Sequence, residues 1–197
     1  MKLGCVIMAA GASRRFGENK LLRTLGGKPL YRWALEAVPP DVFSQVAVVT
    51  ACQPMAELAQ AMGFAVICND QPEKGVSLTI RLGLESMTDC DGVLFMTADQ
   101  PLLTRNGIRT VADTFLSDPD CIAAAAADGI RGNPCLFPKC LFPALLALEG
   151  DTGGSRVIRS NTHLLRLTEL PAKELADADT AEDLQALETC FSEESPV

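Results

Sequence analysis

The residues that could bind a charged ligand begin directly after the first apolar run of the chain. Residues 9–20 read Ala-Ala-Gly-Ala-Ser-Arg-Arg-Phe-Gly-Glu-Asn-Lys. Small residues let a ligand approach the backbone closely, and successive N–H groups can surround phosphate oxygens. Arg15 and Lys20 could add cationic contacts to the same oxygens. Because the segment contains neither Gly-Lys-Ser/Thr nor Gly-x-Gly-x-x-Gly, it indicates a phosphate-binding loop of another type, or a tight turn between a strand and a helix.

Carboxylates at two later positions could hold a cation. Asp99 follows the apolar run Gly92–Thr97 and precedes Gln100-Pro101. An aspartate at the end of a strand is well placed to bind Mg²⁺, although it could equally cap the following turn. Asp177 and Asp179 come just before the last helical pattern. Asp179 or Thr180 fits the N-cap of that helix, and either aspartate is alternatively a second metal ligand.

Apolar runs of strand length alternate with helical patterns over the first 128 residues. The predicted strands are Leu3–Ala9, Gln45–Thr50, Ala65–Asn69, Gly92–Thr97 and Cys121–Ala127, and the predicted helices are Pro29–Val38, Pro54–Met62, Ser77–Met87 and Thr104–Leu116. This alternation predicts an α/β fold with three αβα layers and a mostly parallel, Rossmann-like sheet. Ligands of such sheets bind at the carboxyl ends of the strands, where the segments described above would meet.

The domain organisation that we predict is one domain over residues 1–190. Residues 128–165 are rich in glycine, asparagine and proline, which indicates a turn-rich insert. A last helix is expected over about Thr180–Thr189, followed by an acidic, frayed tail at residues 191–197.

The charge distribution indicates a small anionic ligand. The chain has 197 residues and a net charge of -8, which argues against binding to long nucleic acids or anionic membranes. Residues 1–32 nevertheless contain seven basic residues and one acidic residue. Chance clustering on a solvated face is the alternative interpretation. The eight cysteines are scattered and form no Cys-x-x-Cys motif, so we expect reduced thiols and a cytoplasmic protein.

Three motifs resemble those of the molybdenum cofactor nucleotidyltransferases, within the wider nucleotidyltransferase superfamily. They are Ala-Ala-Gly-x-Ser-x-Arg-x-Gly-x-x-Lys at Ala9 to Lys20, Ala98-Asp99-Gln100-Pro101, and Asp179-Thr180-x-Glu182-Asp183-Leu184. The first motif is specific in its spacing, and the three in order span nearly the whole chain. The resemblance implies a fold of the nucleotide-diphospho-sugar transferase type.

Within this family, the chain resembles the molybdenum cofactor cytidylyltransferase branch most. The Ala-Ala-Gly start of the first loop is typical of that branch, whereas guanine-specific members tend to have Ala-Gly-Gly. Three further segments resemble the branch, namely Gly75–Ile80 at the base pocket, Arg131–Phe137 on the pterin side, and Gly150–Arg156. The chain departs from the branch pattern at Phe16, at Leu78 and Thr79, and by one extra residue before Arg156.

The resemblance implies Mg²⁺-dependent transfer of CMP from CTP to the phosphate of a molybdopterin-type cofactor, with release of pyrophosphate. It implies catalytic roles for Arg15, Lys20 and Asp99, and metal binding by Asp99 and Asp179. Residues 128–165 would then lie on the acceptor side. The implied nucleotide-binding residues are Ala9, Ala10, Gly11, Ala12, Ser13, Lys20, Gly75, Ser77, Thr79 and Asp99, and the implied acceptor-binding residues are Gln100, Asn133, Asp151 and Arg156.

Two other functions fit the same residues. The first keeps nucleotidyl transfer but uses GTP or another nucleotide, or a different phosphorylated acceptor. The second is a non-enzymatic carrier that delivers the cofactor to a target such as a molybdenum hydroxylase. A Mg²⁺-binding carboxylate next to a cationic phosphate loop favours catalysis over pure binding, because charge neutralisation and positioning are what phosphoryl transfer requires.

Overall fold

A computed structural model describes residues 1–11 and 19–193, with only the backbone described at Ser192 and Glu193. The strands are β1 (Leu3–Ala9), β2 (Thr24–Leu25), β3 (Lys28–Pro29), β4 (Gln45–Thr50), β5 (Ala65–Cys68), β6 (Gly92–Thr97), β7 (Ile122–Ala127), β8 (Ile130–Pro138) and β9 (Leu165–Glu169). The α-helices are α1 (Leu30–Glu36), α2 (Gln53–Ala61), α3 (Val76–Glu85), α4 (Arg105–Ser117), α5 (Phe142–Leu146), α6 (Ser155–Ser160) and α7 (Ala181–Glu193). No helix in these ranges is long and apolar enough to cross a membrane.

Seven strands form one sheet in the order β5-β4-β1-β6-β8-β7-β9. Only β8 runs antiparallel to its neighbours in this sheet. Two separate sets of buried side chains cover the two faces, because successive residues of a strand point to opposite sides. Ile7 packs with α1, α2 and α4 on one face, whereas Val6 packs with α3, α5 and α6 on the other. The predicted three-layer αβα architecture is therefore confirmed.

The region that was predicted as a turn-rich insert supplies an interior strand of the sheet. β8 lies between β6 and β7 and pairs with both. The prediction treated Pro134 and Pro138 as signals of turns. In the structure, Pro134 lies where the β7–β8 register shifts, and Pro138 is the last residue of the strand. Proline is tolerated at such irregularities and strand ends, where no ladder hydrogen bond is lost.

The C-terminal helix begins with a reciprocal capping arrangement. The Thr180 hydroxyl accepts a hydrogen bond from the Asp183 amide (3.1 Å), and the Thr180 amide donates to the Asp183 carboxylate (2.8 Å). Thr180 is therefore the N-cap residue, and Asp179 is not needed for capping. The helix continues to Glu193, so residues 191–193 belong to α7 rather than to the predicted tail, and residues 194–197 lie outside the described range.

Candidate active site

An open pocket of about 630 Å³ lies at the carboxyl ends of β1 and β6. Its walls come from the end of β1, the start of the segment after it, the turn before α3, the end of β6, and the loop before α6. The lining residues are Met8, Ala9, Ala10, Gly11, Lys20, Leu21, Pro72, Glu73, Lys74, Gly75, Val76, Thr79, Thr97, Ala98, Asp99, Gly150, Asp151 and Asp179. The pocket therefore lies where the predicted sheet places a ligand site.

Lys20 joins the two carboxylates that the sequence motifs single out. Its Nζ lies 2.6 Å from Asp99 Oδ2 and 2.6 Å from Asp179 Oδ1. The side chains of Lys20 and Asp99 are 16% and 18% exposed, whereas that of Asp179 is 53% exposed. Lys20 starts a short 3-10 turn that Asn19 caps by accepting a hydrogen bond from the Leu21 amide. The fold thus brings together three charged groups from the N-terminal, middle and C-terminal parts of the chain.

The charges of this group hold Lys20 protonated. Burial lowers the pKa of Lys20, but the attraction and hydrogen bonds of Asp99 and Asp179 outweigh burial and hold that pKa above its usual value. The pKa of Asp177 is also raised, which for a carboxyl group favours the neutral form. Withdrawal from water, reinforced by repulsion from Asp99 and Asp179, raises the pKa of Asp177 to about 6. Burial and the two neighbouring carboxylates therefore both disfavour the charged form of Asp177.

The oxygens around Asp99 fit a hard divalent cation. Asp99 Oδ1 and the nearby Thr97 hydroxyl are buried, and neither has a hydrogen-bond partner among the described residues. A buried polar atom without a partner is costly unless a ligand satisfies it. Within the described residues no cluster of three or more His, Cys, Asp or Glu side chains is arranged to hold a metal ion. A cation at Asp99 would therefore take one or two carboxylates and complete its shell with water and phosphate oxygens, as Mg²⁺ does.

Two loops that line the pocket, one before α3 and one before α6, are in direct contact. The Ser77 amide at the start of α3 donates to the Gly150 carbonyl (3.2 Å), and the Val76 amide donates to Asp151 Oδ1 (3.4 Å). These bonds satisfy N–H groups that a helix N-terminus leaves unpaired. Gly75 has φ +90°, and a Cβ atom there would lie only 2.5 Å from the Asp151 amide nitrogen. A glycine at position 75 is therefore what permits this close contact.

Within the predicted base-pocket segment Gly75–Ile80, one polar residue lines the pocket. Thr79 lines the pocket, and its hydroxyl accepts a hydrogen bond from Asn69 Nδ2 (3.0 Å). Ser77 is buried and does not line the pocket. Asn69 was not predicted as a site residue. It stands at the end of β5, where the sequence Asn-Asp-Gln-Pro is typical of a turn and carries no other signal.

The structure does not bring three of the four predicted acceptor-binding residues to the pocket. Gln100 is 2% exposed and donates a hydrogen bond to the Leu175 carbonyl. Asn133 lies half-buried on β8, and Arg156 is exposed on α6. Of this group only Asp151 lines the pocket.

The predicted phosphate loop is described only in part. Ala9, Ala10 and Gly11 line the pocket. Ala12, Ser13 and Arg15, for which binding or catalytic roles were predicted, lie outside the described residues.

The mostly parallel sheet, the pocket at its carboxyl edge and the paired carboxylates define a nucleotidyltransferase. Residues 5–166 match the family model of the MobA-like NTP transferase domain. Because the match covers most of the chain, the protein belongs to the MobA-like NTP transferase family.

Relatives with curated names support this assignment. The chain is 29% identical over 95% of its length to the purine catabolism protein PucB of Bacillus subtilis (strain 168), covering 96% of that protein. It is 33% identical over 68% of its length to the 3-deoxy-manno-octulosonate cytidylyltransferase of Bdellovibrio bacteriovorus, covering 53% of that enzyme. It is 31% identical over 58% of its length to the probable molybdenum cofactor guanylyltransferase of Pyrococcus horikoshii, covering 57% of that protein.

Solved structures show the same fold at low sequence identity. The homologue of Mycobacterium tuberculosis Rv0371c from Mycobacterium sp. strain JC1 has a TM-score of 0.80 at 24% identity, over 99% of this chain and 100% of that chain. Rv0371c in complex with manganese has a TM-score of 0.74 at 21% identity, over 96% and 99%. CMP:2-keto-3-deoxy-manno-octonic acid synthetase complexed with CTP has a TM-score of 0.73 at 15% identity, over 99% and 100%.

Proposed function

We propose that the protein transfers CMP from CTP to the terminal phosphate of a molybdopterin-type cofactor, in a Mg²⁺-dependent reaction that releases pyrophosphate. The observation that carries the proposal is the Lys20–Asp99–Asp179 group, together with the unpartnered Asp99 Oδ1, at the edge of a pocket large enough for a nucleotide. A carboxylate that can bind Mg²⁺ beside a lysine favours catalysis over pure binding, because charge neutralisation and positioning are what phosphoryl transfer requires.

The reaction needs positioning more than acid–base chemistry. A phosphate oxygen of the acceptor forms a bond to the α-phosphorus of the nucleotide, and the bond from that phosphorus to the β-phosphate bridging oxygen breaks. The leaving group is pyrophosphate. Since the acceptor phosphate is already an anion, no strong base must remove a proton from it, and stabilisation of charge on the phosphates is the main requirement.

The chain supplies these functions from separate elements. Backbone N–H groups after β1, from Ala10 to Ser13, would surround the triphosphate, and Arg15 and Lys20 would contact its oxygens. Asp99 and Asp179 would hold Mg²⁺, which when bound neutralises charge on the phosphates. Asp151 also lines the pocket and would contact the acceptor.

The proposed base preference rests on the loop residues and on relatives. The Ala9-Ala10-Gly11 start and the Gly75–Ile80 segment resemble the cytidylyltransferase branch, and a relative and a structural neighbour bear cytidylyltransferase or CTP-complex names. Guanylyl transfer to the same cofactor is the second candidate, because two relatives are named probable molybdenum cofactor guanylyltransferases.

Thermal stabilisation by each of the four ribonucleoside triphosphates, with and without Mg²⁺, tests the proposal first. Selective stabilisation by CTP with Mg²⁺ is expected, followed by release of pyrophosphate when the pterin acceptor is added. Selective stabilisation by GTP would remain compatible with nucleotidyl transfer but would refute cytosine as the preferred base. If no triphosphate stabilises the protein and no pyrophosphate is released with acceptor present, the carrier function replaces catalysis.

A further inference from the structure

We propose that Asn69 is a positioning residue that turns the Thr79 hydroxyl into a hydrogen-bond donor for the nucleobase. The base must then present an acceptor, such as a ring nitrogen or a carbonyl oxygen, to Thr79. This inference rests on the proposed function, since it assigns the orientation of a base within that same pocket.

The backbone fixes the orientation of the Asn69 amide. Asn69 is 1% exposed, and its Oδ1 accepts a hydrogen bond from the Gln71 amide (3.1 Å). A backbone N–H can only donate, so the oxygen of the Asn69 side chain must face Gln71. The NH₂ group consequently faces Thr79, and Nδ2 lies 3.0 Å from Thr79 Oγ1.

The Thr79 hydroxyl accepts this hydrogen bond, so its own hydrogen remains available to donate to another acceptor. An amide NH₂ has no acceptor, so the Thr79 hydrogen cannot point back to Asn69. Three other helical threonines donate their hydroxyl hydrogen to a carbonyl of their own helix. Thr110, Thr114 and Thr189 each donate to the carbonyl four residues earlier. Among the described residues, the Thr79 hydroxyl donates no hydrogen bond to the carbonyl four residues earlier, which is that of Gly75. The Gly75 carbonyl already accepts a hydrogen bond from the Leu78 amide.

The position of Thr79 directs its hydrogen toward a ligand. Thr79 is 5% exposed, yet it lines the pocket, so its hydroxyl is largely shielded from water that could satisfy it. A buried donor without a partner is costly, and a ligand acceptor would remove that cost. Cytosine would then present its O2 and N3 edge to Thr79 rather than its amino group, and guanine would present O6 or N7.

Three substitutions separate the donor role from a structural one. Thr79→Ser keeps the hydroxyl, and Thr79→Val removes it with little change in shape. Asn69→Asp replaces the NH₂ group by a second acceptor oxygen, which reverses the Thr79 hydroxyl because Thr79 then donates to the carboxylate. Thr110→Val, on α4, is the matched control for losing the hydroxyl of a helical threonine.

The measurement is the Kd of two probes in the presence of Mg²⁺, namely CTP and inorganic pyrophosphate, which has no base. We expect Thr79→Val to weaken CTP binding about tenfold and to leave pyrophosphate binding within about twofold. Asn69→Asp should weaken CTP binding by a larger factor than pyrophosphate binding, because its added charge repels both anions whereas the reversed Thr79 hydroxyl affects only the base. Thr110→Val should match the wild type for both probes, and Thr79→Ser should bind CTP more tightly than Thr79→Val because it keeps the hydroxyl. If the base is guanine, the same pattern is expected with GTP in place of CTP.

Two outcomes would overturn the inference, and they can be told apart from failure of the proposed function. If the wild type binds CTP or GTP and Thr79→Val binds it equally well, Thr79 is not a donor to the base, although binding of a triphosphate by this pocket stands. If Thr79→Val weakens pyrophosphate as much as the nucleotide, the role of the residue is structural. If the wild type binds no triphosphate, the proposed function and the inference fail together.

Discussion

Replacing Gly75 by alanine tests whether the contact between the two pocket loops matters for catalysis. Gly75 combines φ +90° with ψ 176°, a backbone conformation that is accessible in practice only to glycine. The new Cβ atom would also lie under 3.0 Å from the Gly150 carbonyl group and 2.5 Å from the Asp151 amide nitrogen. Both neighbours are backbone, so the loop at residues 150–151 cannot relieve the clash by turning a side chain.

The size of the effect follows from these distances. The strained backbone costs about 1–3 kcal/mol of unfolding free energy. An ordinary contact with Asp151 begins near 3.4 Å, so the two loops must separate by roughly 1 Å. A displacement of about 1 Å in a positioning element can lower the rate about 100-fold, which corresponds to about 2.7 kcal/mol in the activation barrier.

The assay is pyrophosphate release with saturating nucleotide and varied acceptor, alongside urea unfolding. Gly63→Ala is the matched control, because Gly63 is exposed with φ +79° and a Cβ atom there would meet nothing within 4 Å. We expect Gly63→Ala to lose about 1–2 kcal/mol of stability at unchanged kcat/KM. Gly75→Ala should lose at least as much stability, because the clash with residues 150–151 adds to the backbone strain, and about 100-fold in kcat/KM.

The reasoning is refuted if the two variants lose kcat/KM equally. That result would mean that the contact between residues 75 and 150–151 has no bearing on the reacting groups. If Gly75→Ala and Gly63→Ala both remain folded under the assay conditions and only Gly75→Ala loses rate, the loop contact acts on positioning and not through the amount of folded protein.

Three further predictions concern single residues. Lys20→Ala should lower turnover about 100- to 1000-fold, as expected for removal of a charge that stabilises the transition state. The control Lys139→Ala removes an exposed lysine outside the pocket and should not lower turnover. Normal turnover of Lys20→Ala would refute the proposed contact of Lys20 with phosphate. Asp99→Asn should abolish the response of activity to Mg²⁺, and the exposed control Asp89→Asn should retain it; an unchanged Mg²⁺ titration of Asp99→Asn would contradict the metal assignment. Burial raises the pKa of the Cys135 thiol to about 11 from 9.0, so between pH 9 and 11 the unfolded chain releases a proton that the folded protein retains. Stability therefore falls as pH rises through this range, by up to about 1.4 kcal/mol per pH unit, and urea unfolding of Cys135→Ala should show a flatter alkaline limb; an identical slope would contradict the shift.

The buried parallel strands could be predicted closely from the sequence. β1, β4 and β6 begin and end at the predicted residues, because continuous apolar runs of this length are typical of strands that are covered on both faces. β8 could not be predicted in this way. Its buried half, Pro134 to Pro138, follows Gly132 and Asn133, and the local signal of turn-forming residues outweighed the apolar pattern.

The site was predictable only as separate motifs. Nothing in the spacing of Lys20, Asp99 and Asp179 indicates that they touch, since 79 and 159 residues separate the lysine from the two acids. The resemblance to a family predicted that the three residues belong to one site, and the structure shows that Lys20 contacts both acids. Asn69 belongs to no motif, and its position opposite Thr79 depends on how β5 and α3 pack. A residue that acts by orienting another is recognisable only when both hydrogen-bond partners are known.

The charges around Lys20 explain how an acidic protein can bind a nucleotide. Among the described residues, Asp99 and Asp179 both contact Lys20. Burial is the largest cause of the raised pKa of Asp177, and repulsion from Asp99 and Asp179 adds to it. Such a group alone would repel a triphosphate. A divalent cation at Asp99, as proposed, would reverse this balance, so metal and nucleotide would stabilise each other's binding. The acidic residues near the phosphate site are therefore consistent with an anionic ligand, provided that the cation binds with it.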